Sequence, residues 1–377
     1  MAVAGSTLRV NRLCDPFGGS GTSALAAQFL GIESVSIEVN PYLADLVRAK
    51  VSTYNIKKLS SALLRVEKRA RLSKKRGLGN IAVLPGTFVQ PGRNQRWLFD
   101  RAVAIEVEKL KHAIGREKAR SIRRLFRVLL GGSLVEFSNA VISGKGRRYR
   151  RDWQRRRMNP SDVVKQFSSA AGNAIAEINA LSERSKARSI VICGDSRKRL
   201  RSVGAVDLIV CSPPYPNSFD YTDVYNMELW MLGYLKSPKQ NRKLRRSTLS
   251  SHVQIAPEFS MPPDVPTLRK LLERMTYARK MLWNENLIAM VGGYFRDLEV
   301  VLDGCRKILR ANGQAWFVVG DSQYAGIQIK VADILCEIAE SVGLSIVRRQ
   351  PFRSMRLSPQ QGGKRRLAES LVVFTKS

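Results

Sequence analysis

One octapeptide constrains this chain more than any other stretch: Asp15-Pro16-Phe17-Gly18-Gly19-Ser20-Gly21-Thr22. A short apolar-leaning run, residues 8–14, precedes it. Residues 23–30 follow with apolar side chains at helical spacing and close at Gly31, a natural C-cap. Residues 34–39 (SVSIEV) then predict a second strand and 42–53 a second helix. Strand, glycine turn, helix, strand is the βαβ unit of a doubly wound sheet. Glycines at 18, 19 and 21 let the backbone approach a ligand closely, and the helix N-terminus behind them favours negative charge. Turns of this kind hold dinucleotides, phosphates or S-adenosylmethionine, or simply end a strand. The spacing is not that of GxGxxG, because Thr22-Ser23-Ala24 follows Gly21, and no GKS or GKT exists, which excludes a P-loop. Glu38 lies 17 residues beyond Gly21 and ends the second strand. An acid there commonly accepts hydrogen bonds from ribose hydroxyls. The turn therefore reads as a seat for a nucleoside-bearing cofactor.

The βαβ pattern breaks off and later resumes. Residues 56–190 read as mostly helical, with Arg/Lys-rich stretches at 65–76 and 116–130. They carry 32 Lys and Arg against 10 Asp and Glu, which is +22 of the chain's +33. The densest part is 145–157 (KGRRYRRDWQRRR), where Tyr149 and Trp153 are interleaved with the cations. Residues 189–193 (SIVIC) and 206–211 (VDLIVC) then predict strands, the first ending at Gly194-Asp195. Residues 235–266 are basic, polar and proline-bearing and predict a long loop. Helices are expected over 268–282, 298–309 and 331–342, a strand over 314–319, and a closing strand pair over 344–348 and 371–375. The expected architecture is α/β: residues 1–55 and 187–377 form a doubly wound, Rossmann-like sheet domain, interrupted by a basic, mainly helical insert at 56–186.

A net charge of +33 calls for a polyanionic partner, nucleic acid or an anionic membrane surface. No apolar run reaches the roughly 18 residues of a membrane span, and the N-terminus does not read as a secretory signal. The five cysteines (Cys14, Cys193, Cys211, Cys305, Cys336) are scattered without a CxxC pair. Neither a disulfide framework nor a structural zinc site is expected, and a cytoplasmic setting fits. With only His112 and His252, a histidine-based metal site or hydrolase triad is not expected, and both histidines read as surface residues.

The second chemical motif, Ser212-Pro213-Pro214-Tyr215, stands directly after a buried-strand pattern, where open α/β sheets place their ligands. Consecutive prolines stiffen the backbone and remove two N–H donors, so their carbonyls are free to face a ligand. Ser212 adds a hydroxyl acceptor and Tyr215 a planar stacking face. Together these suit a planar heterocycle bearing an amino group. Cys211 beside them reads as a small buried strand residue rather than a nucleophile.

DPFGGSGT and SPPY together resemble the cofactor and catalytic motifs of the exocyclic-amino DNA methyltransferases. The run 212–233 (SPPYPNSFDYTDVYNMELWMLG) is similar to a subgroup of bacterial members, and the ending ESLVVFTKS resembles that family's final strand. The resemblance covers about a third of the chain. It implies transfer of a methyl group from S-adenosylmethionine to cytosine N4 or adenine N6 in DNA, with the target base flipped out of the duplex. On the matching positions it implies that Asp15, Phe17, Gly19, Gly21 and Thr22 hold the methionine end. Glu38 would bind the ribose, Asp195 would sit by the adenine, and Pro41 or Tyr42 would pack on its ring. Ser212 and the Pro213 carbonyl would accept from the target amine, with Pro214 stiffening the turn and Tyr215 stacking on the base.

Serine at the first catalytic position leans towards cytosine N4. Only 14 residues precede Asp15, so the segment that often closes over the methionine is expected from the C-terminal part or another chain, unless the start lies upstream. Motif order makes the insert the candidate target-recognition region, with 145–157 and 239–246 as candidate phosphate contacts. Asp220-Tyr221 reads as part of the base pocket or as a helix cap. A modification enzyme, alone or with a restriction partner or second subunit, is the leading expectation. An RNA base methyltransferase, or a DNA-binding protein with a vestigial pocket, is the alternative.

Overall fold

The computed structural model describes residues 2–6, 9–74, 77–78, 83–143, 146–254, 259–356 and 366–376. Leu8, Lys75, Arg76, Lys145, residues 255–258 and Ser377, on which some of the expectations fall, lie outside them. In chain order the elements are β1 (Arg12–Asp15), α1 (Thr22–Phe29), β2 (Glu33–Glu38), α2 (Pro41–Val51), α3 (Ile56–Arg71), α4 (Arg101–Gly115) and α5 (Arg120–Phe137). Next come β3 (Ala140–Ser143), β4 (Gly146–Tyr149), α6 (Pro160–Ala180), β5 (Ser189–Cys193), α7 (Ser196–Arg199) and β6 (Val206–Cys211). They are followed by α8 (Tyr221–Val224), α9 (Asn226–Met231), α10 (Pro238–Arg246), α11 (Pro266–Tyr277) and α12 (Leu287–Ile308). The chain closes with β7 (Leu309–Gly320), β8 (Ser322–Tyr324), β9 (Ile327–Ile329), α13 (Val331–Ser341), β10 (Ser345–Arg356) and β11 (Arg366–Thr375).

Two units form. The first comprises Met1–Asn40, Ala187–Tyr221 and Arg242–Ser377; the second comprises Pro41–Lys186 and Thr222–Asn241. The first is built on a seven-stranded sheet in the order β10-β11-β7-β6-β1-β2-β5. β5, β2, β1, β6 and β7 run parallel, and β11 runs antiparallel between β7 and β10. The chain builds outward from β1 through β2 to β5, then reverses and builds through β6 to β7. The strand order therefore switches between β1 and β6, which pair at Leu13↔Leu208 and Cys14↔Ile209.

Alternation along these strands sorts the core onto two faces. Cys14, Ile209, Ala315, Phe317, Val372 and Phe374 share one apolar cluster with α11, α12 and α13. Leu13, Leu208, Trp316 and Val373 point the other way and pack with Ala27 of α1. Helices thus cover both faces, as a doubly wound sheet requires. Phe317 and Phe374 meet edge to face at 5.9 Å, worth about 1 kcal/mol beyond their buried area.

α12 begins at Leu287, eleven residues before the expected start. Gly292 and Gly293 mask its pattern in the sequence. Both are sites of close approach: a Cβ on Gly293 would meet Phe259 at 3.1 Å, and one on Gly292 would meet Pro262 at 3.3 Å.

The second unit is mainly helical. α3 buries Leu59, Ala62, Val66 and Ala70, and α6 buries Val163, Val164, Phe167 and Ala171, each set at helical spacing. Phe126 of α5 meets Phe167 of α6 edge to face. α2 lies in this unit because Tyr42 packs on α5. A Cβ on Gly131 would stand 2.5 Å from the Tyr42 ring, so only glycine fits there. Two elements differ from expectation. The densest basic run contains β4, paired antiparallel with β3, and residues 238–246, expected as loop, form α10.

Candidate active site

β1 ends at Asp15, and the backbone turns at once. The Phe17 N–H donates to Asp15 Oδ1 at 2.9 Å, and the Gly18 N–H to the Ile37 carbonyl at 2.9 Å. Gly19 and Gly21 hold φ of 50° and 84°, left-handed values that a side chain would strain, and Gly21 caps α1. Thr22 is the first residue of α1, and Phe17 packs on the main core.

Glu38 ties this turn to the next one. Its Oε2 accepts from the Gly19 N–H and its Oε1 from the Asn40 N–H, both at 2.7 Å. The Gly194 N–H, after β5, donates to the Glu38 carbonyl at 2.9 Å, and the Ser196 hydroxyl donates to the Pro16 carbonyl. The carboxyl ends of β1, β2 and β5 are therefore bonded into one floor. Burial pushes the Glu38 carboxyl up to about 7, against the backbone N–H groups of Asn40, Gly19 and Val39 and with the nearby Asp15 charge adding to it. Burial also pushes Asp15 up to about 6.

Asp195 stands at the end of this floor as the N-cap of α7. Arg197 takes both of its oxygens, at 2.8 and 2.9 Å, and also reaches Asp297 at 2.6 Å. Tyr42 is buried in the second unit, its hydroxyl donating to the Val128 carbonyl at 3.2 Å.

The second turn leaves β6, the neighbour of β1. Ser212 is exposed, Pro213 is buried, and Pro214 and Tyr215 are half-buried. The Ser212 and Tyr215 hydroxyls lie 3.4 Å apart. Tyr215 donates to Glu369 Oε1 on β11 at 2.5 Å, and Arg353 on β10 donates to Glu369 Oε2. Burial and the Glu369 bond both raise the Tyr215 phenol well above its ordinary value, so it stays a donor. Glu369 opens the ESLVVFTKS ending, but nothing in the sequence marks it or Arg353 as a partner of Tyr215. Their place follows from the antiparallel register Arg353↔Glu369 and Glu369↔Gly320.

The chain aligns over 97% of its length with the Type II methyltransferase M.BsoBI of Geobacillus stearothermophilus at 22% identity, covering 80% of that protein. It aligns over the same share with the Type II methyltransferase M.AvaI of Nostoc sp. at 26% identity, again covering 80%. This chain is a distant relative of Type II methyltransferases. No family profile matches it. Among solved structures it is similar to the rRNA methyltransferase aviRa from Streptomyces viridochromogenes at a TM-score of 0.31 and 9% identity, covering 99% of this chain and 79% of that one. A likeness of that size decides neither fold nor function.

In this methyltransferase relative, three side chains stand differently from expectation. His252 is buried, 3.9 Å from buried Asp220, which pairs with Arg245 at 2.8 Å. Burial lowers the His252 pKa and keeps it neutral near pH 7, so it is not a surface residue. Arg150 and Arg156 are half-buried rather than fully solvated. They reach the carbonyls of Val135, Glu136 and Ser138 at the C-terminal end of α5, where cations suit the helix dipole. Arg147 donates to the Asp223 carbonyl. Tyr149 and Trp97 both pack on Trp153, with centroids 4.8 and 5.0 Å away. Cys211 is a buried free thiol, raised by burial. Among the described residues no cluster of three or more His, Cys, Asp or Glu is placed to hold a metal ion, and no helix is long and apolar enough to cross a membrane.

Proposed function

We propose that this chain methylates an exocyclic amine of a DNA base from S-adenosylmethionine, with cytosine N4 favoured over adenine N6. The observation that carries the reading is the β1/β6 switch point. The glycine turn with its buried acid and the Ser-Pro-Pro-Tyr turn leave the carboxyl ends of two adjacent parallel strands, where doubly wound sheets bind ligands. The Type II relatives support a DNA methyltransferase; a modification role beside a restriction enzyme, in the cytoplasm, is part of the same proposal.

The floor fits a nucleoside-bearing cofactor. Each Glu38 oxygen takes one backbone N–H and keeps a lone pair for a ribose hydroxyl. Gly18 sits close to β2, where a Cβ would stand a tight 3.2 Å from the Ser36 Cβ, and so keeps the turn low. Asp15, Phe17, Gly19, Gly21 and Thr22 would hold the methionine end, and Asp195, carried on Arg197, the adenine side. When bound, S-adenosylmethionine supplies an electrophilic methyl on a sulfonium.

The residues of the chain then have little covalent work. Ser212 Oγ and the Pro213 carbonyl accept the two amine hydrogens and bias the nitrogen towards a tetrahedral, nucleophilic shape. Tyr215 offers its ring to the base. Pre-organised acceptors and in-line placement account for most of the acceleration. The nitrogen would take the methyl as the sulfonium C–S bond breaks to leave a neutral thioether, and the proton it sheds would pass to solvent, with no bond to the protein.

The test is transfer of labelled methyl from S-adenosylmethionine to duplex DNA, followed by single-molecule sequencing of DNA from expressing cells. Modified cytosine supports the favoured base, and modified adenine changes it. Transfer to RNA alone, or cofactor binding without transfer, overturns the reading.

A further inference from the structure

The second unit holds two cavities, of about 570 and 410 Å³, on either side of the α4–α5 turn. The turn is pinned by an ion cluster. Glu117, only 3% exposed, is held by Arg65 at 2.7 Å and Arg69 at 2.6 Å, both on α3. Burial works against the Glu117 charge, but the arginine bonds outweigh it and hold the carboxyl below its ordinary value. One buried carboxylate thus consumes two arginines and fixes its neighbours Arg116 and Lys118 in the wall of the larger cavity, together with Lys57 and Lys58 of α3. These four side chains are exposed and have no carboxylate partner among the described residues.

The smaller cavity continues the same charge. Arg120, Arg123, Arg124 and Arg127 line it at i, i+3, i+4 and i+7, the spacing that puts residues on one helix face. Core side chains usually fill such a stripe. Here it is arginine, and Asp45 is the only carboxylate in the lining among the described residues, paired with Arg124 at 3.2 Å. The basic run at 146–157 is the competing surface: Arg147, Arg150 and Arg156 reach backbone carbonyls, as Arg123 and Arg127 of the stripe do, and Arg151 and Arg155 are exposed but line neither cavity.

We propose that the phosphate-binding track of the second unit runs from the start of α3 across the α4–α5 turn and along the arginine stripe of α5, and that duplex DNA occupies it. This rests on the reading above for the identity of the polyanion. The charge itself comes from the cavity walls. A sugar-phosphate backbone carries closely spaced anions, and the exposed Lys57, Lys58, Arg116, Lys118 and Arg120, backed by the half-buried Arg123, Arg124 and Arg127, meet several at once.

The experiment measures duplex DNA affinity of the full chain between 50 and 200 mM salt. The triple variant Arg116→Ala, Lys118→Ala, Arg120→Ala leaves the Glu117 cluster intact. It should reduce the slope of log affinity against log salt by two to three units, about 0.9 for each phosphate that is no longer neutralised. Arg151→Ala with Arg155→Ala, on the exposed side of the hairpin, should change it by less than one. An unchanged slope in the triple variant overturns the track, as does a flattened slope in the hairpin variant. If the triple variant loses duplex RNA binding and keeps DNA binding, DNA is overturned as the occupant. Wild-type methyl transfer is scored separately. If wild type binds DNA with a steep slope but transfers no methyl, the enzymatic reading fails and the track stands.

Discussion

Tyr215 donates its hydroxyl to Glu369, 154 residues further along the chain, and the 2.5 Å bond joins the turn after β6 to the middle of β11. If Tyr215 stacks on the base as proposed, this bond restrains where its ring can lie. Tyr215→Phe keeps the ring and loses the bond, so turnover should fall by roughly 10- to 100-fold if the 1.5–3 kcal/mol of a charge-assisted bond is spent on ring placement. Tyr215→Ala should fall further. Equal rates in Phe and Ala variants, in single-turnover methylation, would show that the ring itself contributes nothing.

Ser212→Ala should damage turnover far more than cofactor affinity. Ser212 is exposed and touches only Tyr215 among its hydroxyl neighbours, so its loss leaves the Glu38 floor intact. Calorimetry of cofactor binding beside the methylation rate separates the two effects. A variant that methylates at the wild-type rate removes Ser212 from the site.

Glu38 makes the protein pH-sensitive in a definite direction. Between its ordinary 4.5 and the value of about 7 that burial gives it, the folded chain keeps a proton that the unfolded chain has released. Stability therefore falls as pH rises through that window, by roughly 3 kcal/mol if Glu38 acts alone. Cofactor binding should run the other way, because ribose hydroxyls donate best to the ionised carboxylate. Affinity should rise from pH 6 to pH 8 in wild type and stay flat in Glu38→Gln. Glu38→Ala should weaken binding about tenfold or more and also lower the melting temperature, since the Gly19 and Asn40 N–H groups lose their acceptor.

Arg156→Ala should cost stability rather than DNA affinity. Its guanidinium holds the Glu136 and Ser138 carbonyls at the end of α5, so about 1–3 kcal/mol of unfolding free energy should go with it. Urea denaturation measures the loss. A salt slope for DNA that flattens while stability is unchanged would return Arg156 to the phosphate surface.

The sheet was legible because its strands are apolar runs that stop at glycine or proline turns, and the strand ends carry the chemistry. What escaped reading lacks that contrast. β4 is Gly-Arg-Arg-Tyr, and α10 buries no residue at all, so neither shows an apolar period. Glu369 stands in the ESLVVFTKS ending, read as a final strand, but only the pairing of β11 with β10 and β7 brings it to Tyr215. His252 reads as a surface residue until Asp220 and Arg245 are seen around it. In the hairpin, sequence shows the charge but not that Arg147, Arg150 and Arg156 also bond backbone carbonyls.

The second unit is assembled from two separate excursions of the chain, 41–186 and 222–241, and the later one is not an ornament. Tyr234 bonds Asp45 at 2.9 Å and lies under Arg127 at 4.0 Å, while the Leu232 carbonyl takes Arg127 at 2.6 Å. Replacing 41–186 alone by a relative's segment would strand Tyr234 and Leu232 without Asp45 and Arg127. A hybrid that folds needs both segments from one parent. The short stretch that follows Ser212–Tyr215 is therefore tied to the distant insert, and the two have to be exchanged together.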